Sequence, residues 1–99
     1  MIVELIITTE TRHDLAEAYD WYESRRIGLG EEFLYCVEAC FEKIRRTPQL
    51  YPKLFEEYRR AMPRRFPYSV FYDFYGNKVT VYAVLHTASS QSKWINRLS

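Results

Sequence analysis

Two arginine pairs, Arg59-Arg60 and Arg64-Arg65, bracket a short stretch of strand character, and His86 closes another. Guanidinium forks fit phosphate and carboxylate oxygens alike, so the four arginines point to an anionic partner, either a nucleic acid or an acidic protein. Adjacent strand residues point to opposite faces, so only one of Arg59 and Arg60 can join Arg64 or Arg65 in a single patch. A neutral imidazole beside arginines loses proton affinity and can serve as a general base near neutral pH. His86 is thus the candidate catalytic residue of this set, although no general acid accompanies it. The competing reading is a histidine satisfied by a backbone partner at a strand end, with a solvated basic turn beside it.

The charge pattern deepens this. Residues 1–57 carry seven Lys or Arg against twelve Asp or Glu, whereas residues 58–99 carry seven against Asp73 alone. A net charge of +1 thus hides an acidic first part and a cationic second part, the pattern of a chain with a polyanionic or acidic partner. Nine tyrosines and six phenylalanines exceed what a small core needs, which predicts rings at the surface where an interface would use them. The sequence has no Gly-rich phosphate loop, no His-Glu-x-x-His and no Gly-x-Ser-x-Gly elbow. Cys36 and Cys40 lie four apart on one helix face, and neither His13 nor His86 stands at zinc-like spacing from them. They read as free buried thiols, and neither a metal nor a cofactor is expected. No apolar run reaches the ~20 residues of a membrane span, and the first residues lack a basic leader, so no membrane partner and a cytoplasmic location are expected.

These residues need a scaffold, and 99 of them are enough for one domain, residues 1–99. Ile2 to Ile7, rich in β-branched residues, predicts a first strand. Thr8, Thr9 and Thr11 offer helix caps, with Asp14 placed to favour the positive end of the helix that follows. Leu15, Ala18, Tyr19 and Tyr22 mark its apolar face. Gly28-Leu29-Gly30 stops it, and Glu31 and Glu32 open a second helix whose buried stripe is Phe33, Val37, Cys40, Phe41 and Ile44. Trp21 and Tyr22 are expected in the core with Phe33, Val37 and Ile44. Thr47-Pro48 ends the second helix, and residues 48–56 read as an irregular connection. From there the period changes to two. Tyr58–Met62 is a strand, and Phe66, Tyr68, Val70, Tyr72 and Phe74 share one face of the next. Gly76-Asn77 forms a tight turn, and Val79, Val81, Ala83 and Leu85 alternate up to His86. Trp94, Ile95 and Leu98 predict a short terminal helix or docked tail. The fold class is α+β, a helical hairpin packed on an antiparallel sheet in the order β-α-α-β-β-β.

Taken in order, several segments form a known pattern. They are Asp14-Leu15-Ala16-Glu17-Ala18, Trp21-Tyr22-Glu23, Gly28-Leu29-Gly30 with Phe33, Pro48 with Tyr51-Pro52, and Tyr58-Arg59-Arg60. Arg65-Phe66-Pro67-Tyr68 with Tyr72, and Val84-Leu85-His86 with Trp94, complete the set. Over nearly its whole length the chain resembles the RelE/ParE superfamily, toxins of bacterial type II toxin–antitoxin (plasmid stabilisation) modules. The resemblance implies the hairpin-on-sheet fold and a cognate antitoxin whose C-terminal segment wraps the toxin in a hetero-oligomer. It also implies a target, either DNA gyrase for ParE-like members or the ribosome and its mRNA for RelE-like endonucleases. Family members commonly carry arginines where Ala88 and Ser89 stand here, and RelE-like members a C-terminal tyrosine, so the ParE-like branch is favoured. Target or antitoxin binding is then expected at Arg59, Arg60, Arg64, Arg65, Tyr68, Tyr72, Trp94 and Arg97. A degenerate toxin acting only as an interaction module is the remaining alternative.

Overall fold

A computed structural model describes residues 3–99. The chain runs β1 (Glu4–Ile7), α1 (Thr9–Arg25), α2 (Leu29–Arg46), β2 (Lys53–Phe55), β3 (Tyr58–Ala61), β4 (Tyr68–Tyr75), β5 (Lys78–His86) and α3 (Gln91–Leu98). The strands form one sheet in the order β1-β5-β4-β3-β2. Ile2, read as part of the first strand, lies outside the described residues. The expectation of an antiparallel sheet holds for β2 to β5, but β1 joins β5 in parallel, from Glu4 opposite Lys78 to Ile7 opposite Val81, so the sheet is mixed. The helical hairpin supplies the long crossover that a parallel pair requires. The connection read as irregular contains a strand, β2. Three residues with a register shift between Lys53 and Phe55 leave no alternation to read, and pairing to β3 alone creates the element. Gly76 (φ 57°) and Asn77 (φ 64°) make the tight β4–β5 turn at its predicted place. Among the described residues no helix is long and apolar enough to cross a membrane.

The first helix takes over the edge of β5 where β1 runs out. Past Ile7 the Val81 carbonyl accepts from the Thr8 amide (3.2 Å) and from the Thr11 hydroxyl (2.9 Å). Further on, the Val84 amide donates to Asp14 Oδ2 at 3.0 Å. Backbone groups that a longer strand would have paired are thus satisfied by the start of α1. Thr8 is also its N-cap, accepting from the Thr11 amide at 3.2 Å.

At the hairpin turn, α2 begins at Leu29, two residues before the acids read as its opening. The Glu23 carboxylate on α1 accepts from the Gly28 and Gly30 amides, both at 2.9 Å, and so caps α2 from the neighbouring helix. Gly28 takes φ 91°, a conformation that other residues adopt at a cost of about 1–2 kcal/mol. Gly30 is a point of close approach: a Cβ there would lie 2.7 Å from Tyr19 Cδ2 and 3.0 Å from Glu23 Oε1. Gly30→Ala should therefore destabilise the fold by about 1–3 kcal/mol, read as a lower urea midpoint. A neutral outcome would mean that the Tyr19 ring swings aside without disturbing the cap.

Two apolar layers flank the sheet. Phe33, Val37 and Ile44 of α2 pack with Val70, Tyr72, Val79, Val81 and Val84. On the opposite face Leu98 and the half-buried Trp94 of α3 cover Phe71, Ala83 and Leu85. The predicted alternation Val79, Val81, Ala83, Leu85 breaks at Tyr82. Phe71 pairs Ala83 while Tyr72 pairs Val81, so Tyr82 is the extra residue of a β-bulge. The bulge shifts the phase, which turns Ala83 and Leu85 toward α3 and sends Val84 to the hairpin side. Trp21 corrects another expectation. It is 51% exposed, edge-on to Tyr22 with the Arg25 guanidinium 4.3 Å above it, while Tyr22 is half-buried and stacked on Phe33. Cys40 is a buried free thiol, its pKa pushed up to about 11 by burial, and Cys36 is half-buried.

Candidate functional site

The strands that carry the basic residues scatter them. Arg59 lies opposite Tyr72, and its Nη1 donates to the carbonyls of Tyr51 (2.6 Å) and Gln49 (3.3 Å), pinning the connection before β2. Arg60 lies opposite Phe71 on the other face of the sheet, and it is exposed. Arg64 is exposed in the link between β3 and β4. Arg65, at φ 73°, reaches back to Glu32 of α2 (2.8 Å), with its guanidinium carbon 5.1 Å from the centre of the Phe66 ring. Glu32 also meets Arg26 at 3.2 Å, and the hydrogen bond from Arg65, helped by Arg26, holds its carboxyl below the usual range. Arg97 is the most committed of them. It grips Asp14 with both nitrogens (2.7 and 3.0 Å) and donates to the Tyr82 carbonyl at 3.3 Å. Burial disfavours the charge on Arg97, but the bond to Asp14 outweighs it and raises the guanidinium pKa.

The rings divide the same way. Tyr72 is fully buried, its hydroxyl donating to the Pro48 carbonyl at 2.8 Å, which makes it a core residue rather than a contact surface. Tyr68 is half-buried against Tyr22 and Phe33. Trp94 stacks on Phe71 at 5.4 Å and docks α3. Arg59, Arg65, Tyr72, Trp94 and Arg97 are thus engaged within the fold, while Arg60 and Arg64 remain exposed.

What the fold does assemble is a groove of about 280 Å3 between α1 and the junction of β5 with α3. Glu17 and Trp21 form the α1 wall, Tyr68 and His86 the floor, and Ser89 and Lys93 the far wall; no arginine lines it. His86 is exposed, its ring edge-on to Tyr68 at 5.3 Å, and its Nδ1 accepts from the Ala88 amide at 2.9 Å. In the neutral ring the proton therefore sits on Nε2. A base at Nε2 would need the other tautomer, at the loss of the Ala88 bond. Burial pushes the neighbouring Tyr68 hydroxyl up to about 12, with Tyr22 and Glu17 adding to it. That hydroxyl therefore stays protonated at neutral pH.

Sequence reasoning missed the Asp14–Arg97 pair and the groove beside it. The two residues are 83 apart, and only the topology, which brings α3 back across β5 to the start of α1, places them together. No local signal in the sequence marks that contact.

The described geometry has close counterparts. A chain of the chromosomal ParDE toxin–antitoxin system from P. aeruginosa matches with a TM-score of 0.63 and 20% identity, over 86% of this chain and 96% of that one. A chain of the RelBE2 toxin–antitoxin complex from Mycobacterium tuberculosis matches with a TM-score of 0.62 and 21% identity, over 87% of this chain and 99% of that one. At these identities the likeness is one of fold. No curated protein matches the sequence. The model of the ParE toxin of type II toxin–antitoxin systems, parDE, matches residues 5–90, from the second residue of β1 through the helical hairpin to the turn after His86. The chain belongs to the ParE toxin family of type II toxin–antitoxin systems.

Proposed function

We propose that this toxin acts by binding rather than by catalysis, as an inhibitor of DNA gyrase that a cognate antitoxin neutralises. The observation that carries the reading is the state of His86. Its Nδ1 lone pair is engaged by the Ala88 amide, and the groove that it lines holds Lys93 as its one cation and no arginine fork. A ribonuclease would need a free base with cations around the scissile phosphate. Arg59 and Arg65, two of the guanidiniums that such a scheme would recruit, are instead engaged by the Tyr51 carbonyl and by Glu32. The family match and the kinship to ParDE and RelBE2 assemblies support an antitoxin partner.

Expression in cells tests the target. Filamentation with a DNA-damage response, together with loss of gyrase supercoiling by purified toxin, is the expected result. Rapid loss of translation with cut mRNA would overturn it in favour of a ribonuclease, and healthy growth would leave an interaction module. His86→Ala should retain toxicity within about twofold, because only a general base would forfeit the ~10²–10⁴-fold that such catalysis supplies. A drop of that size would restore the catalytic role.

A further inference from the structure

The sheet is one strand short at a specific place. β2 pairs β3 only at Arg59 and Tyr58, whereas β3 continues through Arg60 and Ala61, paired on its inner side to Phe71 and Val70 of β4. Beyond Arg59 the outer edge of β3 has no strand beside it among the described residues. A groove of about 360 Å3 lies there, bounded by Tyr51–Leu54 on one side and Arg60–Met62 on the other. Large apolar side chains crowd its rim: Leu54 is 41% and Met62 55% exposed, and nearby Leu50 is 64% exposed. Both charged residues that line it, Lys53 and Arg60, are cationic. Among the described residues Arg60 has no ion-pair partner, and Lys53 holds only Glu57 on the open surface at 2.9 Å, a pair of the weak, exchangeable kind.

We propose that this notch is a docking site for an extended segment of a partner protein in which acidic and apolar residues alternate. The bare edge offers main-chain hydrogen bonds to an added strand. The period-two alternation of that strand would set apolar residues against Leu54 and Met62 and carboxylates against Arg60 and Lys53. A second copy of this chain fits less well, because it would bring its own Lys53 and Arg60 to a cationic notch. The site rests on the reading that a protein partner masks this chain, but not on what the toxin acts upon.

The test titrates the purified full-length protein with a fluorescein-labelled synthetic peptide that alternates glutamate with leucine and valine. The same peptide with lysine for glutamate and a short single-stranded DNA serve as competing probes. The glutamate peptide should bind, with slowed amide exchange at Arg60–Met62. Met62→Glu and Arg60→Glu should each weaken it by about tenfold, and Arg60→Glu should turn the preference toward the lysine peptide. Both are surface changes, and an unchanged thermal midpoint confirms that they fold. Equal binding of the two peptides, preference for DNA, indifference to both substitutions, or self-association lost in Met62→Glu would each overturn the proposal. Toxicity on expression is scored separately. A toxic chain that binds no acidic peptide sinks only this docking site, and a harmless chain that binds it sinks only the toxin reading.

Discussion

Replacing Asp14 with alanine should cost about 2–3 kcal/mol of stability, more than any exposed charge in this chain. The carboxylate is only 10% exposed and accepts three hydrogen bonds, two from Arg97 and one from the Val84 amide. Removing it strands a guanidinium that is itself 24% exposed and an amide of a buried strand residue, and an uncompensated buried charge is what makes such losses large. The residual exposure of Arg97 puts the expectation below the ~3–5 kcal/mol of fully buried pairs. A domain of this size loses about 4–8 °C per kcal/mol, so the thermal midpoint should fall by roughly 10 °C or more. Arg97→Ala should cost less, because Asp14 keeps the Val84 amide and can draw on solvent in the groove that it lines. A double-mutant cycle isolates the coupling. If Asp14→Ala changed stability by less than about 0.5 kcal/mol, the pair would be of surface grade and α3 would be held by Trp94 and Leu98 alone.

That pair also marks the boundary of what the sequence makes legible. The helical hairpin is readable because each signal is local: Thr8 caps, Gly28 turns left-handed, and Phe33, Val37, Cys40, Phe41 and Ile44 recur at helical spacing. The β4–β5 hairpin is equally readable from Gly76-Asn77 between alternating runs. Features set by partners distant in the chain are not. β2 exists only because β3 pairs it, and Asp14 reads as a favourable charge in a first turn until α3 arrives beside it. The bulge at Tyr82 hides for a different reason. Val79, Val81, Ala83 and Leu85 are all apolar, so a one-residue change of phase leaves the pattern intact on paper while dividing those residues between two layers.

The same logic separates the arginines. Clustering along the chain at residues 59–65 does not carry over into space, because strand alternation splits Arg59 from Arg60, and the left-handed backbone at Arg65 turns it toward Glu32. What survives of the charge pattern is coarser: acids concentrated on the helices and cations on the strand-rich part. Arg60 beside a bare edge and two exposed apolar side chains is the place where that asymmetry meets a shape.

Raising the pH should destabilise the protein progressively between about pH 10 and 12, with two tyrosines as the trigger. Burial pushes Tyr72 up to about 12 and Tyr68 up to about 12, against an ordinary value of 10.0. A folded-state pKa above the unfolded one means that the native state holds its proton longer. The stabilisation is therefore fully present below pH 10 and is lost as pH climbs through the folded value, since only the unfolded chain gains the tyrosinates cheaply. Two units would amount to about 3 kcal/mol per group, and the half-exposed setting of Tyr68 cuts its share to on the order of 1–2 kcal/mol. Together they reach a sizeable part of the ~5–15 kcal/mol that holds a small domain. Part of the tyrosinate absorbance should consequently appear only in the step that abolishes near-ultraviolet circular dichroism. Tyr72→Phe separates the two roles of its hydroxyl. At neutral pH it should cost about 1 kcal/mol, because the Pro48 carbonyl loses its donor, and the alkaline midpoint should nevertheless rise once the ionisable group is gone. Complete tyrosinate formation with the near-ultraviolet signal intact would show that these hydroxyls reach solvent without unfolding, and the buried Tyr72–Pro48 contact would not be the lock that ties α2's exit to the sheet.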